Sequence, residues 1–206
     1  HGFNARPREI KKAFSAVWKD YGDRKISENS KKHRNEENIE KWWFDFHFKM
    51  LKKLGLKDRA IAKAINKDIS HQFFGNPKIH RMYDDAKKIL PFLKKHKVKL
   101  VLLTNGYKST VKAVEYFGLD KYFDHVLVSC DVGISKPDPR LYRVIAKKLS
   151  LKCEEILCVG DSYATDVVGA IKSGCGAAII DRKNTGDKKK YDCVYLNNLT
   201  QIKNLI

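Results

Sequence analysis

From about residue 84 onward, short apolar runs alternate with amphipathic helical segments, and this alternation constrains the fold more than any other feature of the chain. The runs fall at 98–104, 126–129, 156–160, 177–180 and 194–196. None shows strict apolar–polar alternation, so each reads as a parallel strand covered on both faces. Helical periodicity fills the intervals at about 84–96, 107–117, 139–149 and 165–173. Repeated strand–helix units predict an α/β fold built on a doubly wound parallel sheet. Pro91 falls inside the first of those helices, where it removes a backbone donor and should kink or shorten the helix.

The first 80 or so residues read as helices only. Ile10, Phe14, Val17, Trp18 and Tyr21 recur at helical spacing between Pro7 and Gly22, which predicts a helix over 6–21 that stops at the glycine. Ile39, Trp42, Trp43, Phe46, Met50 and Leu54 repeat the pattern up to Gly55, and Phe44, Phe48 and Leu51 widen the stripe until the helix should be sandwiched between partners. A third helix starts at Asp58 as N-cap and carries Ile61, Ile65 and Ile69. Gly75-Asn76-Pro77 then marks a boundary.

The 206 residues carry 42 Lys and Arg against 24 Asp and Glu, a net charge of +18. Such an excess attracts polyanions, yet the lysines are spread in short clusters on the polar sides of amphipathic segments, the pattern of solvated helix faces. The densest run, RKNTGDKKK at 182–190, reads as an exposed loop. With no nucleic-acid motif beside the charge, no specific nucleic-acid partner is expected. No apolar stretch reaches membrane-spanning length, no leader opens the chain, and a cytoplasmic location with no membrane partner is the expectation. Five cysteines without a C-x-x-C pair indicate reduced, mostly buried thiols rather than a disulfide framework or a structural zinc site.

Ligands of open parallel sheets collect at the carboxyl ends of the strands. The first run ends in Thr104-Asn105-Gly106, offering a hydroxyl, an amide and backbone N–H groups that suit a phosphate. The third ends in Gly160-Asp161-Ser162 with Asp166 following, an oxygen-donor pattern for a hard cation such as Mg²⁺. After the second comes Ser135-Lys136-Pro137-Asp138-Pro139, whose ammonium could neutralise both a phosphate and a neighbouring carboxylate. Taken singly, each has a structural reading: Thr104 and Asn105 as helix caps, Asp161 and Asp166 as cap and first-turn residues, Lys136 as a surface lysine.

Together, LLTNG, SKPDP and GDSYATDVVGAIKSG resemble motifs II, III and IV of the haloacid dehalogenase (HAD) superfamily, over about residues 84–206. The helical stretch before them resembles the C1-type cap of that superfamily. The resemblance implies a helical cap domain at 1–80 and a HAD-like Rossmannoid core at 81–206. It implies that Thr104 hydrogen-bonds the transferring phosphoryl group, with backbone near Asn105 and Gly106 binding substrate. Lys136 would offset the charge of nucleophile and phosphate, Asp161 would bind Mg²⁺, and Asp166 would hold a metal-bound water or orient Lys136. Dehalogenases of the superfamily lack the acid matching Asp161, so its presence favours phosphate esters over carbon–halogen bonds.

Motif I, an apolar strand ending in Asp-x-Asp that supplies the nucleophile, has no match, because no D-x-D triplet occurs in the chain. In the superfamily that strand lies between those of motifs II and IV, and its removal leaves two strands about 10 Å apart, too far to hydrogen-bond. The expectation is therefore an amino-terminally truncated Mg²⁺-dependent hydrolase of small phosphate monoesters, inactive as it stands. Alternatives are a catalytically inactive HAD-fold binding module and a 2-haloacid dehalogenase. The implied partner is a small phosphorylated metabolite.

Overall fold

The computed structural model describes residues 2–29, 36–105, 109–183 and 192–206. Gly106 and most of the basic run, 184–190, lie outside the described residues.

Three helices come first: α1 (Pro7–Asn29), α2 (Glu36–Lys53) and α3 (Arg59–Gly75). Gly22 does not end α1. A glycine inside a helix costs only about 0.5–1 kcal/mol, and it stops one only where the chain turns left-handed. Gly55 does make that turn, at φ 95°, just past α2. Asp58 caps α3 by accepting the N–H groups of Ala60 and Ile61. The wide apolar stripe of α2 is sandwiched as its composition requires, with α1 on one side and α3 on the other. Ala13, Val17, Trp42, Phe46, Met50, Leu51 and Ala62 form the buried centre of this bundle. Trp42 stacks on Phe46 at 5.7 Å while Trp43 meets both rings edge-on. The aromatic stripe is thus the bundle's own core.

Beyond a short turn at Pro77–Ile79 the chain alternates α4 (Asp84–Lys95), β1 (Val101–Thr104), α5 (Ser109–Tyr116), β2 (His125–Val128), α6 (Ser129–Val132), α7 (Pro139–Leu149), β3 (Leu157–Gly160), α8 (Val168–Ser173), β4 (Gly176–Ile180) and β5 (Val194–Leu196). A 3₁₀ segment, Leu199–Leu205, closes the fold. Pro91 leaves α4 unbroken. Both Pro91 and Lys87, whose carbonyl the proline cannot satisfy, lie on the exposed side, where water replaces the lost bond.

All strand pairs are parallel, and they form two groups: β1 with β2, and β3–β4–β5. Register aligns Thr104 with Val128, and Gly160 with Ile179. No ladder joins β1 to β3 among the described residues. Alternation along β4 covers the three-stranded group on both faces. Ala177 packs with Leu141, Tyr142, Val167 and Ala170 from α7 and α8, whereas Ala178 packs with Ile89 and Leu93 of α4 and with Leu196 and Ile202. Small side chains in β4 let both helical layers approach closely, and each large apolar side chain buried there contributes about 1.5–3 kcal/mol. The expected α/β, doubly wound architecture is the one observed.

All five cysteines are free. Only Cys175 is fully buried, and the other four are half-buried, Cys153 in a turn and Cys193 just before β5. No helix among the described residues is long and apolar enough to cross a membrane.

Candidate active site

The carboxyl tips of β1 and β3 are joined through one lysine. Lys136, on the loop between α6 and α7, extends its Nζ to the Leu103 carbonyl of β1 at 3.3 Å and to Asp166 Oδ1, just past β3, at 2.6 Å. Both partners of the ion pair are largely shielded, with 16% and 10% of their side-chain surface exposed. Breaking such a pair by removing one partner costs about 3–5 kcal/mol, because the survivor is left charged and unpartnered.

The lysine is held from behind by Asn105. The Asn105 amide Nδ2 donates to the Lys136 carbonyl at 2.9 Å, and its Oδ1 accepts the Lys136 N–H at 2.8 Å. Sequence reasoning assigns the backbone near Asn105 to substrate. Its side-chain amide is committed to positioning the lysine, with donor and acceptor on separate atoms. Asp138 then caps α7 by accepting the Arg140 N–H at 3.0 Å, so the lysine loop is fixed at both ends.

Asp166 lies in the tight turn Tyr163–Val167, whose hydrogen bonds span five residues, directly before α8. Its second oxygen accepts the Ser162 N–H at 3.0 Å, so both carboxylate oxygens have partners within the protein. Of the two roles open to Asp166, this geometry performs the orientation of Lys136. Two residues that sequence reasoning passes over shape the turn. Gly160 has Asp166 packed directly on its Cα, where a Cβ would collide with the carboxylate. Tyr142 of α7 is almost fully buried, and its one hydroxyl hydrogen is shared between the carbonyls of Thr165 at 3.0 Å and Asp166 at 3.1 Å. Burial pushes the Tyr142 phenol well above its ordinary value, so it stays a donor at any working pH. The available signal was a tyrosine inside the otherwise aliphatic stripe of α7, since a buried hydroxyl must find an acceptor.

Thr104 closes β1 beside Asn105, and Ser129 follows Val128, the residue opposite Thr104 in register, at the tip of β2. The Ser129 hydroxyl is buried and has no hydrogen-bond partner among the described residues. Asp161 is exposed at the tip of β3. It opens onto a cleft of about 400 Å³ whose walls include Gly160, Asp181, Lys183 and Tyr83. At its rim the Arg182 guanidinium lies 3.8 Å over the Tyr83 ring and pairs with Asp85 at 2.5 Å. Arg182 and the Leu199 N–H hold the Asp85 carboxyl below its ordinary value, outweighing the opposing effect of burial.

A divalent cation is the group this arrangement implies, and its fit is partial. Asp161 supplies one exposed carboxylate of the right hardness. Among the described residues no cluster of three or more His, Cys, Asp and Glu side chains is grouped to hold a metal ion.

Known proteins resemble this chain. Residues 5–174 match the family model described as haloacid dehalogenase-like hydrolase. The chain therefore belongs to the haloacid dehalogenase-like hydrolases. It is 33% identical over 128 residues to a phosphoserine phosphatase of Thermus thermophilus, covering 62% of this chain and 51% of that protein. Against the 5-amino-6-(5-phospho-D-ribitylamino)uracil phosphatase YigB of Escherichia coli it is 41% identical over 100 residues, covering 48% and 40%. The chain thus spans about half the length of these curated relatives. Among solved structures, the putative HAD-hydrolase YfnB from Bacillus subtilis superposes with a TM-score of 0.78 at 16% identity, over 98% of this chain and 84% of that one, a likeness of fold.

Proposed function

We propose that the whole protein is a Mg²⁺-dependent hydrolase of small phosphate monoesters, working in the cytoplasm without nucleic-acid or membrane partners. The observation that carries the reading is Lys136, clasped by Asn105, paired with Asp166 and held between the tips of two strands that do not pair with each other. A cation locked at the strand tips that also carry Thr104 and Asp161 suits a transferring phosphoryl group whose charge grows on its equatorial oxygens. The phosphatase relatives at 33% and 41% identity support the same class.

In this reading Thr104 donates its hydroxyl to a phosphoryl oxygen, and Lys136 offsets the charge shared by phosphate and attacking carboxylate. Asp166 holds the ammonium in place. Asp161 is the residue of this chain that would hold Mg²⁺, and the cation would supply further charge neutralisation at the phosphate. The attacking carboxylate comes from a strand outside the chain, docking between β1 and β3, and residues 1–80 act as a helical cap over a core at 81–206. Such a strand would satisfy the backbone groups of the two facing strand edges, each worth about 1–3 kcal/mol if buried unpaired.

The test is phosphate release from p-nitrophenyl phosphate and a panel of phosphorylated metabolites, using a protein that carries the preceding coding sequence. Release that requires Mg²⁺, stops on chelation and falls in Asp161→Asn supports the reading. Absence of release on every substrate overturns it, as does release of halide from a 2-haloacid that persists under chelation. Turnover by the 206-residue chain alone would overturn the external origin of the nucleophile.

A further inference from the structure

Gly169 lies buried in the first turn of α8, three residues after Asp166. Its φ is not positive, and glycine is a poorer helix former than alanine, so neither backbone conformation nor helix propensity accounts for it. Space does. A Cβ built there would lie 2.9 Å from the Pro137 carbonyl oxygen, 2.5 Å from Tyr142 Cε2 and 2.8 Å from the Tyr142 hydroxyl oxygen. Ordinary van der Waals contact starts near 3.4 Å, so these atoms occupy room that any side chain at this position would need.

The close approach joins the two halves of the ion pair. Pro137 directly follows Lys136, while Gly169 belongs to the continuous turn and helix that carry Asp166 away from β3. The bare Cα of Gly169 is therefore where the lysine loop meets the backbone that bears the carboxylate. Tyr142 fills the angle between them, with its ring against Gly169 and its hydroxyl hydrogen shared by the Thr165 and Asp166 carbonyls. Asn105 clasps the Lys136 backbone from the β1 side. Between these two holds, Lys136 Nζ reaches Asp166 Oδ1 at 2.6 Å, a distance that leaves the pair no room to tighten.

We propose that Gly169 is a positioning residue for Lys136, with Tyr142 as its brace. An alanine at 169 must push the Pro137 carbonyl from 2.9 Å toward 3.4 Å and displace the Tyr142 ring further. The lysine moves with its neighbour, and the pair with Asp166 opens. This placement belongs to the present chain alone. Its consequence for turnover rests on the phosphatase reading, in which Lys136 offsets charge on the transferring group.

The experiment acetylates the amines of the full chain, Gly169→Ala and Tyr142→Phe, and follows each lysine by mass spectrometry. Lys99, whose Nζ donates to the Leu149 carbonyl at 2.7 Å at the other end of α7, is the reference for general loosening. Lys136 labelling should rise several-fold in Gly169→Ala while Lys99 labelling stays constant. Tyr142→Phe adds no atom and keeps the test open if Gly169→Ala does not fold; it should raise Lys136 labelling to a smaller degree. In the protein that carries the preceding coding sequence, Gly169→Ala should lower kcat about tenfold with KM unchanged, since misplacing a charge by a fraction of an ångström weakens transition-state stabilisation rather than binding. Lys136 labelling that is unchanged in both variants, Lys99 labelling that rises in step with it, or a raised KM at constant kcat would overturn the proposal. Absence of turnover in the unaltered whole protein would overturn the phosphatase reading instead, with labelling still deciding the role of Gly169.

Discussion

Replacing Gly160 by alanine should disturb the site by displacing the Asp166 carboxylate. The added methyl would enter the space already held by the Cβ, Cγ and Oδ2 of Asp166. Gly160 has no positive φ, so backbone strain does not contribute. The carboxylate must move, and with it go the Lys136 ion pair and the Ser162 N–H bond. Overpacking costs about 1–3 kcal/mol, and a partial loss of the shielded pair adds to that, so a total of about 3–4 kcal/mol is expected. For a chain of this size each kcal/mol lowers Tm by about 2–4 °C, giving a fall of roughly 6–16 °C. Urea and thermal unfolding of four proteins measure it: the unaltered chain, Gly160→Ala, Asp166→Gly and the double variant. Because Asp166→Gly removes the obstructing side chain, Gly160→Ala should cost less than about 1 kcal/mol in that background, leaving a coupling energy of about 2 kcal/mol or more, as expected of residues in contact. An undiminished cost in the Asp166→Gly background would show that the penalty arises elsewhere and would refute the reasoning.

Tyr142→Phe should destabilise the chain by about 1–3 kcal/mol, since one hydroxyl serves the Thr165 and Asp166 carbonyls. Faster amide exchange confined to residues 163–170 is the accompanying sign, and unchanged urea midpoints would count against it. Asp85, held below its ordinary value by Arg182 and the Leu199 N–H in spite of burial, contributes stability that is complete above about pH 4 and lost as pH falls through its folded value. The stability gap between the unaltered chain and Asp85→Asn should therefore close in acid, and a pH-independent gap would contradict the pairing. His47 is buried among rings and donates Nδ1–H to Asn66 Oδ1 at 2.6 Å, and burial lowers its pKa. Since the unfolded chain then binds the proton first, stability should fall as pH drops through about 6.5, and His47→Gln should lack that limb in denaturant titrations.

The strands were legible because a strand buried on both faces must be an uninterrupted apolar run. Each of the five lies within a few residues of its expected place. Asp58 as a cap and Gly55 as a stop were legible for a similar reason, a local backbone requirement that few residue types meet. Gly22 resembles Gly55 in sequence, yet α1 runs through it. A glycine permits the left-handed turn without imposing it, and the packing of the neighbouring segments decides whether the turn is taken. Thr104, Lys136, Asp161 and Asp166 could be singled out as candidates because each lies at or after the end of an apolar run. The roles of Asn105, Gly160 and Tyr142 were hidden, because each depends on a partner in another element or across a turn.

What the residue order alone determined is the set of local decisions: parallel strands, amphipathic helices, caps, and polar groups placed at strand tips. Periodicity and side-chain chemistry act within a few residues and leave a direct trace. Only the tertiary structure decided that Asn105 spends its amide on Lys136 across 31 residues and that Asp166 spends both oxygens on protein donors. Those pairings arise from strand register and crossover geometry, which bring distant segments within hydrogen-bond range and are encoded by no single stretch of the chain.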